Sequence, residues 1–273
     1  MSKDWLNIGG RVCVVTGAGG GIGRTIAQSM ADAGGKVAVV DRDIQTARDT
    51  TAQIRSGGGN AIAVECDITD PASVERACKE SEKAFGGCNV LVNNAALVRN
   101  GSLAELSVAD WNAVINVNLT GFFICSQIFG RSMRENGGGS IVHVSSLSGS
   151  FPQPTSGAYS VSKAGVLMLS RNIALEWGEM GVRSNVVSPA MVITPMSEVI
   201  YRDLSVKAIR EKAVPVRRIG QPQEIADAIC FLASDRASYI SGQEILVDGG
   251  WSTALLTTVP RPGFDLPKKA NER

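Results

Sequence analysis

Two kinds of apolar pattern alternate along the chain. Short apolar runs rich in β-branched residues occupy 11–16, 36–40, 61–65, 89–92, 140–145, 182–187 and 243–247. Runs of that length, closed by glycine or polar residues, predict strands buried on both faces. Between them the spacing becomes helical: 22–33 sets Ile22, Ile26, Ala27 and Met30 on one face, and similar periodicity marks 71–85, 110–135, 157–178 and 222–233. Strand and helix in alternation predict an α/β chain, Rossmann-like and doubly wound, with a parallel sheet between two helical layers. Ligands of such a sheet gather beyond the carboxyl ends of its strands.

No repeat or low-complexity tract breaks the pattern, so residues 1–250 are read as a single domain and 251–273 as a C-terminal extension. Segment 190–215 shows neither period and is expected to be a mobile lid, with Met191, Met196, Val199, Ile200 and Tyr201 on its inner face. In the tail, Leu255, Leu256, Val259 and Phe264 are apolar, and Pro260, Pro262 and Pro267 stiffen the segment that holds them. Leu255 to Pro267 is expected to pack on a neighbouring subunit near its substrate entrance.

Composition narrows the partners. A chain of 273 residues with 44% apolar content can bury one substantial core, and a net charge of +1 offers no field for a phosphate backbone or an anionic membrane. A small-molecule substrate is expected, with no nucleic acid and no membrane. The opening MSKDWLNIGG has no apolar stretch of the signal type, which points to the cytoplasm. Six cysteines without a C-x-x-C pair, and a single histidine, His143, predict no metal site and no disulfide framework. His143 sits inside a predicted strand and is read as a satisfied strand residue.

Candidate chemistry sits at two strand ends. Thr16-Gly17-Ala18-Gly19-Gly20-Gly21-Ile22-Gly23 joins the first strand to the first helix, where glycine lets the backbone approach a pyrophosphate at the helix N-terminus. The spacing differs from G-x-G-x-x-G. Asp41 closes the second strand, where a carboxylate can accept hydrogen bonds from a ribose and repels a 2′-phosphate; NAD is therefore preferred and NADP is the less favoured cofactor. Arg42 opposes that preference and is read as a solvated helix-start residue. At the other end, Tyr159 has Lys163 one helical turn later, so an ammonium can sit near the phenol and favour its ionised form. Ser145 and Ser146 close a strand upstream of it.

Taken in order, these motifs resemble the short-chain dehydrogenase/reductase family from about Gly9 to Gly250. The family's T-G-x-x-x-G-x-G is Thr16 to Gly23, its N-N-A-G is Asn93-Asn94-Ala95-Ala96, and its N-x-x-x-P-G is Asn185 to Ala190. The resemblance implies four catalytic residues: Tyr159 as acid/base, Ser146 holding the substrate oxygen, Lys163 acting on the tyrosine and the nicotinamide ribose, and Asn118 positioning a water. It also implies cofactor contacts at Gly17, Gly19, Gly21, Ile22, Gly23, Asp41, Arg42, Asp67, Ile68, Asn94, Ala95, Pro189, Val192 and Thr194, besides Tyr159 and Lys163. Ala96 and Ala190 replace usual glycines, a change that local adjustment is expected to absorb.

The expected activity is NAD(H)-dependent oxidoreduction of a secondary alcohol, polyol or sugar-like hydroxyl, in a homotetramer as is common among relatives. Two rivals stay open: reduction of 3-oxoacyl thioesters on a carrier protein, and a catalytically silent nucleotide sensor.

Overall fold

A computed structural model describes residues 5–195 and 197–259. Seven strands form one wholly parallel sheet: β1 (Val12–Thr16), β2 (Lys36–Asp41), β3 (Asn60–Glu65), β4 (Val90–Asn93), β5 (Gly139–Val144), β6 (Val182–Pro189) and β7 (Glu244–Val247). Their spatial order is β3-β2-β1-β4-β5-β6-β7. The order reverses between β1 and β4, so the connections from those strands leave in opposite directions and a crevice opens at their carboxyl ends.

Helices cover both faces. One core cluster packs α1 (Gly21–Asp32) and α10 (Pro222–Ala233) on the sheet through Ile26, Met30, Ile225 and Ile229. The other packs α3 (Pro71–Phe85), α5 (Gly121–Glu135) and α7 (Tyr159–Trp177) through Val74, Phe122, Phe129 and Ile173. Side-chain caps set several starts: the Asp70 carboxylate accepts from Ala72 N–H ahead of α3, and Glu224 accepts from Gln221 N–H at α10.

Three features depart from the sequence pattern. Helix α2 (Ile44–Ser56) is not announced by apolar periodicity, because its buried positions are Ala47, Thr50, Thr51 and Ile54, two of them polar. The single helix expected over 110–135 is α4 (Val108–Ile115), a π-turn (Asn116–Thr120) and α5. Although Val108–Glu135 is long and apolar enough to cross a membrane, the buried side of α5 lies in the core against the sheet.

The third departure is segment 190–215, which contains α8 (Glu198–Tyr201) and α9 (Leu204–Ala213). A bridge between Val192 and Gly220 closes its base. Tyr201 is buried and Met191 half-buried, but Val199 and Ile200 are exposed, because a single turn can present only one side inward. Met196 lies outside the described residues. In the tail, Leu255–Thr258 forms a 3₁₀ turn with Leu255 and Val259 exposed. Residues 260–273, with Pro260, Pro262, Phe264 and Pro267, lie outside the described residues.

Candidate active site

At the end of β1 the buried Thr16 Oγ1 accepts from Asn94 N–H at 3.0 Å and Ala95 N–H at 3.3 Å, and the Asn94 amide donates to Thr16 O at 2.9 Å and Gly17 O at 3.1 Å. The turns after β1 and β4 are thereby fastened together. A Cβ on Gly17, whose φ is +63°, would stand 2.7 Å from Ala95 Cα; one on Gly19 would stand 2.1 Å from Thr46 Oγ1, and one on Gly23 2.2 Å from Gly17 O. Those three glycines have no room for a side chain. Gly20 and Gly21 face open space instead, and Ile22 is half-buried on the first turn of α1. No side chain caps the N–H groups that begin α1. An open, uncapped helix start behind a close-packed glycine turn fits a pyrophosphate.

Asp41 is half-buried and accepts from Gly19 N–H at 2.9 Å and Asp43 N–H at 3.0 Å. Arg42 is exposed. Arg24 lies beneath the turn, but its guanidinium is committed to Gly19 O and Thr50 Oγ1. After β3, hydrogen bonds from Thr69 and the nearby Arg42 charge hold the Asp67 carboxyl below the usual range. Ile68 is buried with its side chain against Gly121. Its side chain thereby serves the packing of α5.

The second half of the site lies where β5 meets α7. Ser146 follows β5 and caps the short helix α6 (Leu147–Ser150), its Oγ accepting from Ser148 N–H at 3.1 Å, and Tyr159 opens α7. Burial raises the Tyr159 phenol above its ordinary value, and a hydrogen bond with Ser146 opposes that rise. Lys163 is fully buried, donates to Val144 O at 2.8 Å, and stands 5.7 Å from the Tyr159 ring centroid and 5.1 Å from that of Phe122. Desolvation lowers its ammonium to about 7. In this state the ammonium is spent on a strand-end carbonyl, and Ser146 is the group that eases ionisation of the phenol.

Asn118 sits in the π-turn, a local widening that turns its side chain inward. Its Oδ1 accepts from Leu97 N–H at 2.7 Å, and its Nδ2 donates to Leu97 O at 2.9 Å and Ser162 Oγ at 3.1 Å. The amide expected to position a water is therefore engaged with the loop after β4 and with α7. Sequence reasoning missed Ser162, although its place in Tyr159-x-x-Ser162-Lys163 puts it on the turn that faces Asn118.

His143 meets Asn93 Nδ2 and Ser184 Oγ at 3.2 Å each, and burial lowers it to about 3, as suits a neutral strand residue. Pro189 is buried at the end of β6, Val192 is buried at its bridge with Gly220, and Thr194 N–H donates to Ser197 Oγ at 2.9 Å. Neither Ala96 nor Ala190 adopts a positive φ, so alanine is accommodated without backbone strain. Among the described residues no cluster could hold a metal ion.

A family model described as enoyl-(acyl carrier protein) reductase matches residues 17–252. D-threitol dehydrogenase of Mycolicibacterium smegmatis is 38% identical over 253 residues, covering 92% of this chain and 97% of that protein. The solved gluconate 5-dehydrogenase of Burkholderia cenocepacia, in complex with NADP and tartrate, superposes with a TM-score of 0.88 at 32% identity, covering 92% of this chain and 99% of that one. A 7α-hydroxysteroid dehydrogenase complexed with NADH and 7-oxoglycochenodeoxycholic acid gives 0.87 at 33% identity, over 92% and 97% respectively.

The lowered ammonium of Lys163 has a thermodynamic sign. Between pH 7 and the ordinary lysine value of 10.5 the unfolded chain binds this proton and the folded chain does not, so this group makes stability rise with pH across that window. Lys163→Met removes the slope. Its stability relative to the native chain, from urea denaturation, should be greatest near pH 7 and decline towards pH 9 by about 1.4 kcal/mol per pH unit. A pH-independent difference would place the lysine in a more polar site.

Proposed function

Because the chain belongs to the short-chain dehydrogenase/reductase family, we propose that it interconverts a secondary alcohol and its ketone, with a polyol or sugar-derived hydroxyl as substrate and NAD(H) as cofactor. The observation that carries this reading is the half-buried Tyr159, whose phenol is influenced by Ser146 and which stands one helical turn before the buried Lys163. The nicotinamide, when bound, supplies the two-electron hydride donor or acceptor. Gly17, Gly19, Gly21, Ile22 and Gly23 would hold its pyrophosphate, Asp41 the adenosine ribose, and Pro189, Val192 and Thr194 the nicotinamide end.

In the oxidising direction Tyr159, ionised, takes the hydroxyl proton, and Ser146 donates its hydrogen bond to the substrate oxygen. Burial makes the tyrosinate costly, so proton removal is coupled to filling the site with a group that can share the charge. Lys163, once drawn from Val144 O, offers that charge. Asn118 holds the wall of the crevice to α7 while the proton moves.

Asp41 supports NAD, since it already accepts from Gly19 N–H and the guanidinium of the half-buried Arg24 is occupied by Gly19 O and Thr50 Oγ1. NADP in the gluconate 5-dehydrogenase complex shows that similar chains take the phosphorylated form. Polyol chemistry is supported by the likeness to the threitol and gluconate enzymes. Reduction of carrier-bound 3-oxoacyl thioesters is the second reading, supported by 38% identity over 242 residues to a 3-oxoacyl-[acyl-carrier-protein] reductase of Synechocystis; the carboxylate of Asp41 disfavours the NADPH it calls for. Segment 190–215 would act as the lid and four chains as the assembly.

Tyr159→Phe keeps the ring and removes the ionisable hydroxyl. Turnover should fall about 10²–10⁴-fold while NAD binding, read by fluorescence titration, persists; retention of more than a few per cent of activity removes Tyr159 from the role. Asp41→Ala should weaken NAD more than NADP in direct binding. A native chain that already prefers NADPH in competition would contradict the assignment.

A further inference from the structure

The loops after β4 and β5 both close over the carboxyl end of the sheet, and they are tied together at the entrance to α7. Gly101 N–H donates to Thr155 O at 2.9 Å and Gly157 N–H donates to Gly101 O at 3.2 Å, a small parallel bridge separate from the seven-stranded sheet. Immediately downstream, Tyr159 N–H donates to Ser156 O at 3.0 Å. Thr155 and Gly157 both adopt left-handed backbone, with φ of 58° and 57°. A Cβ on Gly157 would stand 2.6 Å from Arg99 O, a backbone atom, and 3.4 Å from both Leu106 methyls. Only glycine meets both demands at this position.

The same loop is gripped a second time where Asn118 engages the Leu97 backbone and reaches Ser162 on α7. Both attachments lead to the first turn of the helix that carries Tyr159. We propose that Gly157 is a positioning residue for Tyr159: its left-handed, side-chain-free backbone lets the loop after β4 close on the start of α7, and that closure seats the phenol against Ser146. The inference rests on the acid/base reading of Tyr159 and adds a role for a residue outside the proposed catalytic and cofactor-binding sets.

Gly157→Ala and Gly101→Ala separate the proposal from a general loss of glycine. A Cβ on Gly101 meets only a Leu106 methyl at 3.1 Å, the end of a flexible side chain, and its φ lies outside the left-handed region, so both bridge hydrogen bonds survive. Gly157→Ala should lower kcat by about 10- to 100-fold through misplacement of the phenol, with the NAD Kd unchanged. Its Tyr159 should also ionise at higher pH in the free protein, because the hydrogen bond from Ser146 that opposes the rise is weakened. Ultraviolet absorbance reads that titration directly, with Tyr159→Phe as the blank. Gly101→Ala should match the native chain in both.

Should Gly157→Ala fail to fold, Leu106→Ala removes the side chain that lies against both glycines and should move the phenol titration the same way. Native kcat and native titration in folded Gly157→Ala, an unmoved titration in Leu106→Ala, or equal impairment in Gly101→Ala would each overturn the proposal. Failure of the acid/base reading shows separately, as activity retained in Tyr159→Phe.

Discussion

Burial of Lys163 beneath the carboxyl end of β5 is the constraint on which the site depends. An ammonium in apolar surroundings must find an acceptor, and the one it has is Val144 O, the last carbonyl of the strand. That hydrogen bond ties α7 to the end of β5. Ser145 Oγ answers it by donating to Lys163 O at 2.9 Å, so strand end and helix hold each other from both sides. Tyr159, one turn earlier, is then carried over the strand end, where Ser146 emerges. The depressed ammonium and the raised phenol follow from the same low dielectric.

The cofactor half obeys a different constraint, the contact of backbone with backbone. Gly17 lies against Ala95, and Asn94 spans the gap to Thr16 and Gly17, so the turns after β1 and β4 are held together. Asn118 then joins the loop after β4 to α7. Through these links the glycine turn, the crevice wall and the tyrosine helix form one chain of contacts across the topological switch point. The π-turn that aims Asn118 is a local irregularity kept where the site needs it.

Much of this is legible in the sequence because the strands are uniformly apolar and the helices strongly periodic. The ends of 71–85 and 222–233 coincide with α3 and α10, where proline and capping residues mark the starts. Helix α2 stays hidden because threonine and alanine carry its inner face. The break at Asn116–Thr120 is invisible because a π-turn leaves apolar spacing nearly unchanged. For the site, residue types and spacing indicate Tyr159, Lys163 and Ser146. They do not say that Lys163 is tied to Val144 O or that the Asn118 amide is consumed, since such pairings depend on how loops distant in sequence meet. Helices α8 and α9 escape notice for a related reason: α9 buries none of its residues and so shows no core-facing stripe.

The central claim is that this crevice moves a hydride from a carbinol carbon to nicotinamide. The most direct measurement uses threitol and other polyols deuterated at the carbinol carbons, incubated with the protein and NAD, with the reduced cofactor examined by mass spectrometry and proton NMR. The account predicts NADH carrying one deuterium on the nicotinamide ring, on one face only, together with a ketose product. Reduced cofactor without deuterium, or no reduction with any secondary alcohol in the presence of NAD or NADP, would contradict it.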